Sequence, residues 1–194
     1  DPKSPFKPLV AALAGSVVQP GEALVLASFN QAREGAPSPR ALLSFKAGAT
    51  PVRARVATVL SELDTARKPG SEALADTDLG EALQAAVTQA LGGKPGIVWL
   101  VTNNRNSPNN DQATAARNRE FYQLIHGGGT IERALAFPLR MPVQGAHYRA
   151  NGLMVYAFAV GREGSAALDA LLASGRIRQV ITEPPARLKP LDRD

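Results

Sequence analysis

GKPGIVWLVTNN, residues 93–104, is the stretch on which the fold turns. Lys94, Pro95 and Gly96 break the element before them. Residues 97–101, IVWLV, are a continuous apolar run of β-branched and aromatic side chains. Thr102, Asn103 and Asn104 end it abruptly. An apolar run of this length between turn signals predicts a strand buried on both faces. Such strands are typical of parallel sheets covered by helices. In those sheets ligands bind at the carboxyl ends of the strands, where strand order reverses. The expectation is a central strand, with the polar triplet after it on the functional edge.

Working outward, each flank alternates helix and strand. Towards the N-terminus, Thr77 or Asp78 caps a helix that buries Leu79, Leu83, Ala86, Val87 and Leu91 and stops at Gly92 and Gly93. Before it, Thr50 as N-cap and Pro51 at the first helical position open a helix with Val52, Val56, Val59, Leu60 and Leu63 inward. Residues 22–29 and 40–46 read as strands. The loop between them is too short for a helical crossover, so they pair antiparallel. Phe6, Leu9, Val10, Leu13 and Val17 keep helical spacing, and Gln19, Pro20 and Gly21 stop that helix. Towards the C-terminus, residues 111–125 predict a helix with Ala115, Phe121 or Tyr122, Leu124 and Ile125 inward. Residues 130–139 and 152–160 predict strands, with an antiparallel edge pair across the irregular link 140–151. A helix at 165–174 and a short strand at 176–181 follow. Residues 182–194 are Pro-rich and charged, a linker to a further domain or tail. The alternation predicts one domain, 1–181, of three α/β/α layers around a mostly parallel sheet.

A chain of 194 residues, 44% apolar and 20% charged, has the composition of a globular domain able to bury its own core. The absence of cysteine excludes disulfides, thiolate metal sites and a cysteine nucleophile. Net charge is +5. The basic residues are spread along the chain, with close pairs only at Arg53 and Arg55, Arg67 and Lys68, and Arg176 and Arg178, the pattern of a solvated basic surface. An anion- or nucleic-acid-binding surface is the alternative it leaves open. No stretch reaches the roughly 18 apolar residues of a membrane span, and both ends read as cuts in a longer protein.

Several phrases together resemble the von Willebrand factor A domain. PGEALVLASF (20–29) is similar to its second strand, and DTDLGEALQAA (76–86) to its threonine loop and following helix. WLVTNN (99–104) is similar to its fourth strand, which usually ends in Thr-Asp-Gly, and VYAFAVG (155–161) to a later strand. The resemblance covers about residues 1–175. It implies a non-catalytic protein-binding domain of a larger, bacterial envelope-associated protein. It also implies a central strand before the first helix, which would lie upstream of Asp1.

In that family a divalent cation is held by an Asp-x-Ser-x-Ser segment, the loop threonine and the aspartate after the fourth strand. A hard cation of this kind wants several oxygen ligands and carboxylates to offset its charge. Asp1 and Thr77 match. Lys3 and Pro5 stand in the serine places, and Asn103 stands for the aspartate. Lys3 puts an ammonium where a ligand belongs, and Asn103 keeps an oxygen without its charge. The resemblance therefore implies a degenerate site. Asp1, Lys3, Ser4, Pro5, Thr77, Asp78, Asn103 and Asn104 form its binding face, without cofactor, for a protein partner. Asp1, Ser4, Thr77 and Asn103 are the ligands if a distorted Mg²⁺ or Ca²⁺ site survives. Asp76 and Asp78 read as capping and dipole partners at a helix start. No enzymatic motif emerges. His126 ends a helix, His147 lies in a loop, and neither a nucleophile elbow nor a dinucleotide or phosphate loop is present.

Overall fold

The computed structural model describes residues 4–104, 106, 111–127, 129–145 and 148–188. In chain order they form α1 (Phe6–Val17), the strands β1 (Ala23–Ser28) and β2 (Arg40–Lys46), α2 (Val52–Ser61) and α3 (Leu79–Ala85), which runs on into a π-helical turn, Ala86–Ala90. Next come β3 (Gly96–Thr102), α4 (Asp111–His126), β4 (Ile131–Leu139), β5 (Val143–Gly145), β6 (Tyr148–Ala150) and β7 (Leu153–Val160). The described chain closes with α5 (Gly161–Ala173), a 3₁₀ turn at Ile177–Gln179 and β8 (Ala186–Arg187).

The main sheet has four strands in the order β3-β7-β4-β8, and every pairing in it is antiparallel. The mostly parallel sheet expected from the alternation is not formed. Its cause is the link at 140–151, which is no edge excursion. β5 and β6 pair with each other and make β4 and β7 the arms of one long hairpin. The returning arm, β7, then sits between β3 and β4. Those two strands run in the same direction, joined through α4, but they never touch as neighbours. Burial on both faces requires helices on both sides of the sheet; it does not require parallel pairing.

β3 itself departs from expectation in position. Its apolar run is roofed on both sides, as its composition demands. Ile97, Trp99 and Val101 pack into one core, and Val98 and Leu100 into the other, the alternation of a pleated strand. Yet it lies at the sheet edge, and the central strands are β7 and β4.

The helices divide between the two faces. α1 and α5 cover the first, where Leu9, Leu13, Val17, Leu168 and Leu171 meet Leu135, Phe137, Val155 and Ala157. α3 and α4 cover the second, where Leu79, Leu83, Phe121 and Ile125 meet Ala134, Ala136, Tyr156 and Phe158. A third, smaller core lies under a separate two-stranded antiparallel sheet, β1-β2. There the other side of α1, Ala11 and Ala14, packs with Val56 and Leu60 of α2, and Leu24, Leu26 and Leu43 lie against them. Gly15 permits this close crossing, because a Cβ there would meet the Arg53 Cβ at 2.8 Å. The antiparallel pairing expected for residues 22–29 and 40–46 is present.

Smaller differences have local causes. Pro51, not Thr50, occupies the N-cap place of α2, without a side-chain cap. Residues 176–181 hold the 3₁₀ turn in place of a strand. Residues 186–187, in the stretch read as a linker, pair with β4. Among the described residues no helix is long and apolar enough to cross a membrane.

Candidate functional site

The residues singled out in the sequence fall into three neighbourhoods. Ser4 and Pro5 start α1, where Pro5 takes the N-cap place and the Phe6 N–H donates to Ser4 Oγ at 3.4 Å. Asp1 and Lys3 lie outside the described residues, so their proposed place beside Thr77 and Asn103 does too, as does His147. His126 is the last residue of α4, its ring 4.0 Å from that of Tyr122.

The second neighbourhood is the start of α3. Asp78 is extended and buried, and its Oδ1 accepts from the Glu81 N–H at 3.0 Å, an N-cap in geometry as in sequence. Its other oxygen faces Arg117 Nε of α4 at 3.3 Å. The Leu79 N–H donates to Asn106 Oδ1 at 2.8 Å, and Asn106 Nδ2 donates to Asn118 Oδ1 at 2.9 Å. One buried amide thus ties the loop after β3 to two helices. Asp76 is buried as well. Arg33 pairs with one of its oxygens, and Lys68 Nζ lies 3.1 Å from the other. Its carbonyl accepts from the Gln31 N–H at 2.6 Å, and the Ala32 N–H donates to Glu81 Oε1 at 2.8 Å. The acids on either side of Thr77 are therefore matched by cations of this chain. A hard divalent cation needs carboxylate charge still to be offset. Among the described residues no three His, Asp or Glu side chains converge on one point to supply it.

The third neighbourhood is the carboxyl end of β3. Thr102 is buried, and its Oγ1 accepts from the Asn104 N–H at 3.1 Å. Asn104 turns the chain with φ +59°, a left-handed conformation that asparagine tolerates better than most residues. Its Oδ1 accepts from Tyr156 Oη at 2.6 Å. Tyr156 is buried on β7, and that burial raises its pKa against the opposing pull of the bond to Asn104. Asn103 and Asn104 line an open groove of about 660 Å³. Pro138, Leu139, Leu153 and Met154 are the apolar part of its lining, and Arg140, Asn151 and Glu183 add polar groups.

Of the triplet after residues 97–101, Thr102 is buried, and Asn103 and Asn104 line this groove. No motif marks Arg140, Asn151 and Glu183 in the sequence; only the hairpin and the approach to the last strand bring them there. Asn106 belongs to a stretch of sequence rich in Asn, Ser and Pro, and nothing in that composition marks its amide as buried.

Compared with protein-family models, curated proteins and solved structures, the chain shows no match to any of them.

Proposed function

We propose that the chain is a non-catalytic protein-interaction domain whose binding face is the groove at the carboxyl end of β3. The observation that carries this reading is the character of that groove: open, about 660 Å³, and lined by apolar side chains together with three Asn, one Arg and one Glu. Such a surface suits a protein segment of mixed polarity, since apolar contact supplies affinity and a polar rim supplies register. The titratable groups among the residues singled out in the sequence support the same view. Asp76 and Asp78 are held in ion pairs, and the Tyr156 hydroxyl is bonded to Asn104. A cation site built on Thr77 and Asn103 has little charge to draw on. The anion-binding alternative has its best footing elsewhere, in a smaller cleft of about 260 Å³ whose lining includes Arg53, Arg176 and Thr50.

The test is a peptide-display selection on the intact chain. Peptides enriched on it should bind at least tenfold more weakly to Arg140→Glu and Asn151→Arg, both exposed positions. Equal binding to wild type and variants would place the interaction off the groove. Calorimetry with Mg²⁺ and Ca²⁺, and heparin titration at physiological salt, complete the test. Cation binding abolished by Thr77→Ala, or tight heparin binding lost in Arg53→Glu, would replace the proposal with the corresponding alternative.

A further inference from the structure

Asn151 and Gly152 are the residues that join β6 to β7, and they form the one Asn-Gly pair in the chain. Both are exposed, and both line the groove. Asparagine is among the thermolabile residues of proteins, and the residue after it decides how labile it is. The backbone nitrogen of that next residue is the nucleophile, and a side chain on its Cα blocks the approach to the amide carbon. Glycine has no Cβ to block it and leaves the backbone free to take the cyclising conformation.

The structure leaves the reacting atoms free. Among the described residues no hydrogen bond holds the Asn151 side-chain amide or the Gly152 N–H. The ladder between β4 and β7 begins one residue later, at Leu153 opposite Leu139. Other asparagines stand differently. Asn106 is buried, its Oδ1 accepting from the Leu79 N–H and its Nδ2 donating to Asn118 Oδ1. Asn118 lies within α4. Asn104 Oδ1 accepts from Tyr156 Oη, and the Asn30 main chain is bonded in both directions to Ser38 Oγ. None of these four is followed by glycine.

We propose that Asn151 is a site of spontaneous deamidation, which adds a carboxylate to the groove as the protein ages. The Gly152 nitrogen attacks Asn151 Cγ, and its proton passes through solvent to Nδ2. The bond from Cγ to Nδ2 then breaks, ammonia leaves, and a cyclic succinimide remains. Water opens the ring. Attack at Cγ breaks its bond to the Gly152 nitrogen and yields aspartate. Attack at the main-chain carbonyl carbon breaks the original peptide bond and yields isoaspartate, with the chain running through Cγ. Water is consumed and ammonia released, with no change of oxidation state. Arg140 and Glu183, the charged residues of the lining, offset each other in formal charge, so the new carboxylate has no counterpart there. Isoaspartate also lengthens the main chain by a methylene where β6 passes into β7. The chemistry does not depend on what the groove binds.

The intact chain is incubated in warm buffer at mildly alkaline pH and mapped at intervals by peptide mass spectrometry, with isoaspartate counted by enzymatic methylation. Asn151 should convert at least tenfold faster than any other asparagine, with isoaspartate among its products. In urea Asn151 should convert at a similar rate, because the fold does not shield it, whereas Asn106 should accelerate. Gly152→Ala should slow conversion at least tenfold. Its new Cβ would meet only the Leu139 carbonyl oxygen within 4 Å, at 3.7 Å, so the variant should fold. Circular dichroism checks this, and the same slowing should appear in urea, where folding plays no part. Asn151 still intact after other asparagines have reacted, a folded-chain rate at least tenfold below the rate in urea, or an unchanged rate in Gly152→Ala would overturn the site.

Discussion

The hydrogen bond from Tyr156 to Asn104 couples the groove rim to the core, and it has a pH signature. The ring is buried among Phe121 and Phe158, 5.7 and 5.5 Å away by centroids, while the hydroxyl reaches Asn104. Burial disfavours the phenolate, so the folded-state pKa lies above the ordinary tyrosine value of about 10. A raised pKa contributes stability that is fully present below the unfolded-state value and is lost as pH rises through the folded-state value. Urea midpoints should therefore fall more steeply above about pH 10 in wild type than in Tyr156→Phe. At pH 7 the variant should lose about 1 kcal/mol, the usual worth of one such bond. Identical pH profiles for the two proteins would show that Tyr156 titrates as it does when unfolded. Asp78 illustrates the opposite limit of what one residue reveals. Its capping role is local and legible, whereas the Arg117 that neutralises it belongs to a different helix.

At the scale of elements, α5 follows β7 without a connector. Gly161, φ +69°, makes that reversal possible, and its N–H donates to the Thr130 carbonyl at 3.1 Å. One turn on, Gly164 lies directly over β3, where an added Cβ would run into the Gly96 carbonyl oxygen. That oxygen is backbone in a packed strand and has little room to yield. Gly164→Ala should cost about 1–3 kcal/mol, the range for overpacking. Gly48→Ala, at a site with nothing within 4 Å, should stay near neutral in the same denaturation assay. Equal midpoints for the two variants would mean that α5 does not press on β3 as described. Elements of this kind were largely legible. α1, β1, β2 and β3 fall within a residue or two of their expected places, because periodicity and breakers are local properties. Pairing was not legible. Nothing in IVWLV distinguishes a central strand from an edge strand roofed on both sides, and two residues of β8 leave no period to read. The groove was half legible for the same reason: Asn103 and Asn104 follow the strand directly, while Arg140, Asn151 and Glu183 reach it through β4, β7 and β8.

For the whole molecule, the decisive feature is that two sheets share one helix. β4 and β7 hold most of the fully buried residues, among them Ala134, Val155, Ala157 and Phe158. The β1-β2 hairpin has no fully buried residue in either strand, and its link to the main sheet runs through α1, Phe29 and the Asp76 contacts. Local opening free energies follow buried apolar contact and backbone protection. The hairpin with α2 should therefore open as a unit below the free energy of global unfolding. In native-state hydrogen exchange, amides of β1 and β2 should exchange at least tenfold faster than those of β4 and β7. Asp76→Asn, which removes the charge that Arg33 and Lys68 share, should widen that gap by accelerating the hairpin and leaving β7 unchanged. Both sheets exchanging at one common rate would mean that α1 couples them into a single cooperative unit.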